Sequence, residues 1–245
     1  MNVTSRVGDR ARLEARVARK SFRTASGQSV LVIRNLSFAL EEGATGALIG
    51  PSGCGKSTLM RILAGLDREF EGSVHIPAHS RVGMVFQEPR LLPWRSVEDN
   101  VRLAAPDASE AEIAALFDAL GLSEHRTHFP GELSVGLARR AALARAFAVR
   151  PTLLLLDEPF VSLDTPLARQ LQRDLARLVE SRRMNTVLVT HDVDEAIALA
   201  DRIFVLSARP AHVVGEIRVK SPRAAMSAEE GQAVAARIEA LREAG

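Results

Sequence analysis

The chain has 245 residues, 47% of them hydrophobic and 25% charged, with 16 glycines, 11 prolines and one cysteine. That is about 1.6 domains of sequence with ample apolar material for a core, which excludes a disordered chain and a small disulfide scaffold. A formal charge of only +2 is too small for a surface devoted to nucleic acid.

Residues 1–24 hold seven Arg or Lys against two acids, leaving 25 against 28 for the remainder, so a slightly acidic body carries a basic N-terminal arm. Only three of the 32 basic residues are lysines, Lys20, Lys56 and Lys220, and tyrosine is absent. The longest stretch free of Asp, Glu, Lys and Arg is residues 43–55, glycine-rich and shorter than the ~20 apolar residues of a membrane span. The first 20 residues lack the apolar segment of a secretory signal. Cytoplasmic residence is expected.

Residues 1–11 have no periodicity and read as a flexible basic tail, while Leu13, Ala15 and Val17 alternate with polar residues and predict a first, antiparallel-type strand. Short apolar runs at 44–49, 82–86, 153–156, 186–189 and 203–206 mostly lack alternation, as strands buried on both faces do. They alternate with helical patterns in the second half, which predicts an α/β fold with a parallel core. Residues 96–149 interrupt that alternation and are expected to form an inserted helical subdomain. Within it Ser109 and Glu112 make a capping box ahead of Ile113, Leu116, Phe117 and Leu120, with Gly121 as the stop. A second helix follows Thr165, with Pro166 at its first position and Leu167, Leu171, Leu175 and Leu178 on one stripe. A third, within 221–245, starts at Ser227. There is no internal repeat and no low-complexity linker.

The run GPSGCGKST comprises Gly50, Pro51, Ser52, Gly53, Cys54, Gly55, Lys56, Ser57 and Thr58. It satisfies G-x-x-x-x-G-K-[ST] between an apolar strand and a helical pattern, the context a phosphate loop requires. Glycines allow successive N–H groups to surround a β-phosphate, the helix start adds positive potential, Lys56 reaches the β- and γ-phosphates, and Ser57 offers a hydroxyl to Mg²⁺. Cys54 is a small residue whose backbone serves. The run LLLLDEP places Asp157 and Glu158 at a strand's carboxyl end, where ligands of α/β sheets bind. Asp157 suits Mg²⁺, and Glu158 the orientation and deprotonation of an attacking water. His191, one residue past the strand TVLVT, reaches the same crevice as a γ-phosphate sensor. Gln87, directly after VGMVF, is placed to contact Mg²⁺ and the water.

The order of phosphate loop, Gln87, LSVGL at 133–137, LLLLDEP, SLD at 162–164 and His191 resembles the ATP-binding cassette family over roughly residues 13–219. The resemblance implies a P-loop ATPase with a RecA-like parallel-sheet core, an N-terminal antiparallel β subdomain and the helical insert, together spanning 12–220. It implies two copies packed head to tail, with Ser134 and Gly136 of one touching the γ-phosphate of ATP held by the other and Asp164 at the seam. Adenine in such cassettes stacks on an aromatic upstream of the loop; with no tyrosine available, Phe22 is the match. Further implied are two transmembrane permease subunits, a solute-binding protein acting through them, and a peripheral location on the cytoplasmic face of the inner membrane.

The segment FQEPRLLPW at 86–94, with the chain's one tryptophan, Trp94, resembles importers of nitrate, sulfonates and taurine, in which it faces the membrane subunit. The run ARRAALARA at 138–146 is similar to cassettes of lipid-asymmetry transporters, but on a helix that mainly packs. A soluble cassette working on DNA or ribosomes would need a basic face or a tandem cassette, which the acidic body lacks. A regulatory binder with degraded chemistry is suggested by Val135 and Leu137, which stand where the family has Gly and Gln; Glu158 and His191 oppose it. The branched Val135 side chain crowds the phosphate position, so Val135→Gly is expected to raise ATPase activity in a phosphate-release assay, whereas an unchanged or lower rate would remove steric obstruction as the explanation.

Overall fold

A computed structural model describes residues 13–77, 80–161, 163–219 and 226–244. The expected tail over 1–11, Ser162, Lys220 and the start of the C-terminal segment lie outside the described residues. The first half of the chain runs β1 (Leu13–Arg23), β2 (Ser29–Leu40), β3 (Thr45–Ile49), α1 (Lys56–Leu63), β4 (Glu71–His75) and β5 (Val82–Val85). The helices α2 (Val97–Ala104), α3 (Glu110–Ala119) and α4 (Val135–Ala148) follow, and then β6 (Leu153–Asp157), α5 (Thr165–Arg182) and β7 (Asn185–Thr190). The chain closes with α6 (Val193–Leu199), β8 (Arg202–Leu206), β9 (Val213–Arg218) and α7 (Ala228–Ala244).

Two sheets result. One is antiparallel with order β2-β1-β4; the other has order β5-β6-β7-β3-β8-β9, parallel except for β9, which pairs antiparallel with β8. Every residue of β3, β6 and β7 is buried, which is why their sequences show no alternation. Successive side chains of β6 serve different faces: Leu154 and Leu156 join the helices in one core, while Leu153 and Leu155 join a second core shared with the antiparallel sheet. The expected strands are all present. β2, β4 and β9 are additional to them. The helices α2, α3 and α4 fill the stretch between β5 and β6, with α4 packed on α2, α3 and β5.

The Ser109 capping box is present in full, and Ser227 and Glu230 make reciprocal bonds at the head of α7. The start of α5 corrects the sequence reading by one residue. Asp164, not Thr165, is the cap, its Oδ1 accepting from Leu167 N at 2.9 Å, because a carboxylate at that position reaches the free N–H groups of the first turn. Pro166 is then the second helical residue.

The basic arm is also corrected, since Arg16, Arg19, Lys20 and Arg23 belong to β1. A register shift between Val17 and Arg19 changes the strand's parity, so that Lys20 rather than Arg19 turns inward. Lys20 is 2% exposed, with Nζ 2.7 Å from Asp67 Oδ1 and 2.8 Å from the Glu69 carbonyl oxygen. The pair ties the antiparallel sheet to the turn after α1. Removing one partner of a buried pair strands the other's charge, so Lys20→Met is expected to cost about 3–5 kcal/mol in urea unfolding; a loss below about 1 kcal/mol would place the pair with ordinary surface bridges.

Candidate nucleotide site

Between β3 and α1 the chain turns through Gly50, Pro51, Ser52, Gly53, Cys54 and Gly55. Gly53 (φ 73°) and Gly55 (φ 132°) occupy left-handed backbone, which glycine adopts freely and which turns successive N–H groups toward a common anion. Space also demands glycine: a Cβ on Gly50 would lie 2.9 Å from Leu206 Cβ, and one on Gly55 2.9 Å from Val32 Cγ1. Lys56 lies 5% exposed and donates to the carbonyl oxygens of Gly50 at 2.7 Å and Pro51 at 2.9 Å, so its ammonium spans the loop. Cys54 is buried in the core beneath the antiparallel sheet, which leaves its backbone, not its thiol, to a ligand. Ser57 is exposed and Thr58 half-buried.

Asp157, 7% exposed, ends β6 with the Ser57 hydroxyl beside its carboxylate. Burial pushes its carboxyl above the ordinary range, Ser57 opposes this, neighbouring Glu158 adds to it, and Lys56 and Arg90 oppose it. Glu158 takes left-handed backbone (φ 47°), a cost of about 1–2 kcal/mol for a side chain with a Cβ, and its N–H is held 2.9 Å from the Val189 carbonyl oxygen. Because β7 lies between β3 and β6, His191 leaves the sheet between the phosphate loop and the acids. Its Nδ1 is 3.4 Å from Glu158 Oε2. These are four of the sequence-derived elements gathered at one sheet edge.

The remaining site residues fall around this edge. Gln87, exposed, follows β5. Phe22 is 42% exposed near the end of β1, its ring centroid 4.5 Å from Lys20 Nζ, which leaves ring surface free. Ser134 caps α4, accepting from Leu137 N at 3.2 Å, and Gly136 packs so tightly that a Cβ would meet Leu167 Cδ2 at 2.4 Å. The starts of α4 and α5, with Ser134 and Asp164, are therefore neighbours, and no hydrogen bond among the described residues joins them to the phosphate loop of the same chain. Val135 is 58% exposed, whereas Leu137 packs partly buried on the main core.

As expected, the arginine-alanine helix mainly packs, its alanines from Ala141 on lying in the main core, and two of its arginines also reach into neighbouring loops. Arg139 donates to the carbonyl oxygens of Gln87 and Val161, and Arg145 to those of Pro89 and Arg90, both at 2.7 Å. Asn100, 1% exposed, grips the segment before α2 by accepting from Leu92 N and donating to Leu92, Arg95 and Ser96 carbonyl oxygens, while Trp94 stands 71% exposed. Arg209 donates to the Gly53 carbonyl oxygen at 2.6 Å. None of these carries a motif; the one signal was the presence of arginines on a helix too alanine-rich to be a solvated face.

Ser57, Asp157 and the Gln87 amide supply oxygen donors, the kind a hard divalent cation prefers, and such cations complete their shells with water and substrate phosphates. The burial that pushes Asp157 up is what a bound cation relieves, so these residues fit Mg²⁺. No cluster of three or more His, Cys, Asp or Glu suited to a metal occurs among the described residues.

The family model described as ABC transporter matches residues 33–161. The chain is 44% identical over 214 residues to the aliphatic sulfonates import ATP-binding protein SsuB 2 of Pseudomonas syringae pv. tomato, covering 86% of this chain and 90% of that protein. It is 40% identical over 214 residues to the SsuB protein of Bacillus cereus, covering 82% and 84%. Among solved structures, a dimeric post-hydrolysis ATP-binding cassette bound to ADP and Pi superposes with a TM-score of 0.74 at 27% identity, covering 85% of this chain and 99% of that one.

Beside His191, the Glu195 carboxylate is pushed up chiefly by burial, with a bond to the Thr190 hydroxyl opposing. A raised folded-state value means its contribution to stability is complete below the ordinary carboxylate range and is lost as pH rises through the raised value. Glu195→Gln keeps an oxygen for Thr190 and removes the buried charge. It is expected to raise the melting temperature at neutral pH and to leave it little changed in acid, where an equal gain in both conditions would overturn the assignment.

Proposed function

The chain belongs to the ABC transporter family as an ATP-binding, ATP-hydrolysing subunit of an importer, and on that premise we propose that it powers uptake of a small aliphatic sulfonate. The observation that carries the reading is the convergence of the Gly50–Lys56 loop, Asp157, Glu158 and His191 at one sheet edge, in a chain similar to aliphatic sulfonates import proteins over 86% of its length.

In this reading the N–H groups of residues 52–55 and the Lys56 ammonium hold the β- and γ-phosphates of ATP, while Phe22 offers its exposed face to adenine. Ser57, Asp157 and Gln87 would hold Mg²⁺, which when bound neutralises phosphate charge. Glu158 orients the attacking water and takes its proton, and His191, 3.4 Å from the Glu158 carboxylate, keeps that carboxylate and the γ-phosphate in line. Ser134, exposed at the start of α4 and beside the start of α5, has no hydrogen bond to the phosphate loop of its own chain among the described residues, so Ser134 and Gly136 of one copy close over ATP on a second copy, with Asp164 at the seam. The compact unit is residues 12–220, with the helical part over 96–149.

No helix among the described residues is long and apolar enough to cross a membrane; the similarity to import ATP-binding proteins supports permease partners. Trp94, exposed within the segment that Asn100 fixes through Leu92, Arg95 and Ser96, is an apolar docking point for such a partner. A solute-binding protein delivers the sulfonate to the permeases, and the cassette works on the cytoplasmic face of the inner membrane.

Glu158→Gln is expected to lower ATP turnover by about 10²- to 10⁴-fold and to retain ATP-dependent dimerisation, read by size-exclusion chromatography; wild-type turnover would overturn the role of Glu158. Purified with its permeases in liposomes, the cassette should show ATPase stimulation by a short alkanesulfonate with its binding protein, and stimulation by nitrate alone would overturn the choice of solute.

A further inference from the structure

One buried cation near the site is one for which the chemistry above has no use. Arg139 is 5% exposed, and burial pushes its guanidinium down while the Glu158 carboxylate pushes it up, so the two groups face one another electrostatically. It sits one turn beyond the start of α4, yet its donors leave the helix. Nη1 reaches the Gln87 carbonyl oxygen and Nη2 the Val161 carbonyl oxygen, the latter at 3.1 Å.

Those acceptors follow the carboxyl ends of β5 and β6, which are adjacent strands. Gln87 is two residues past the end of β5, and Val161 N in turn donates to the Glu158 carbonyl oxygen at 3.3 Å. One side chain therefore bridges the loop that carries Gln87 and the turn that carries Glu158, and anchors both to the helix that Ser134 caps. A guanidinium can do this because its planar fork presents two donors at fixed divergence, where an ammonium presents a point charge. Burying it without these acceptors would cost far more than the bonds return, so the two loops and the helix are fixed together or not at all. Arg145 adds two bonds to Pro89 and Arg90 further along the same loop, but none to the Glu158 turn.

We propose that Arg139 is a positioning residue for ATP hydrolysis, holding the Gln87 loop and the Glu158 turn in register with each other and with the helix start that meets the second copy's nucleotide. The proposal rests on the assignment of Gln87 and Glu158 to ATP hydrolysis, and its test separates the two.

Steady-state ATPase is measured on the full chain for wild type, Arg139→Lys, Arg139→Met and Glu158→Gln, with nucleotide affinity from fluorescent ATP binding and folding from thermal melts. Arg139→Met is expected to lower kcat by about tenfold or more, the range of a misplaced catalytic group, with KM and nucleotide affinity within about threefold, since the phosphate loop is untouched. Arg139→Lys, keeping charge and length but serving one carbonyl, should fall between wild type and Arg139→Met. If Arg139→Met does not fold, Arg139→Lys decides: a native melt with wild-type kcat, or a loss confined to KM, overturns the proposal. An inactive Glu158→Gln beside a fully active Arg139→Met overturns the positioning role alone, whereas an active Glu158→Gln overturns the site assignment beneath it.

Discussion

Asp157 sets the terms for the rest of the site. A carboxylate at the end of a strand buried on both faces loses most of its hydration, and a second acid beside it makes ionisation harder still. Such a group is tolerable only where opposite charge and donors are gathered around it. The surroundings supply them from separate parts of the chain: the Ser57 hydroxyl from the first turn of α1, the Lys56 ammonium from the residue before it, and Arg90 from the loop after β5. The same charge demand makes the edge receptive to a cation and to phosphates, so the feature that destabilises the bare protein is the one that organises its ligand.

Sheet order converts that demand into geometry. With β7 inserted between β3 and β6, the strands that lead into the phosphate loop and the acid pair stand two spacings apart, roughly 10 Å, and the chain leaving β7 delivers His191 between them. Glu158 reaches His191 only by turning its backbone into the left-handed region, held there by the Val189 carbonyl. Strain at that residue is sustained by a sheet whose interior strands have no exposed residue, and by a second core that the antiparallel sheet closes through Lys20 and Asp67.

What was legible in the sequence was local. The phosphate loop, LLLLDEP and His191 each announce themselves within a few residues of a buried strand, because the chemistry and the strand end are covalently adjacent. β2, β4 and β9 were not legible. β4 reads EGSVH with no buried residue, and β9 is an edge strand with one buried side chain, so neither has the apolar signal of a core strand. Lys20 escaped for a different reason: a bulge reversed the strand's parity, and nothing in the residues themselves marks where that happens. Arg139 acts on carbonyls 52 and 22 residues away, a relation that exists only once β5, β6 and α4 are packed.

The helix α4 therefore has two faces with different duties. Ser134 and Val135 are exposed at its start, while Gly136, Arg139, Arg140 and the alanines beyond are buried, with Gly136 fixed against Leu167 and Arg140 bonded to the Leu120 carbonyl oxygen. Leu137, where the family has glutamine, turns partly into the core and strengthens the inner face at the expense of the outer. An element gripped this closely from within does not yield at its exposed end alone. The exposed Ser134 and Val135 are thus continuous, through Arg139, with a body that includes the Gln87 loop and the Val161 carbonyl of the turn after β6.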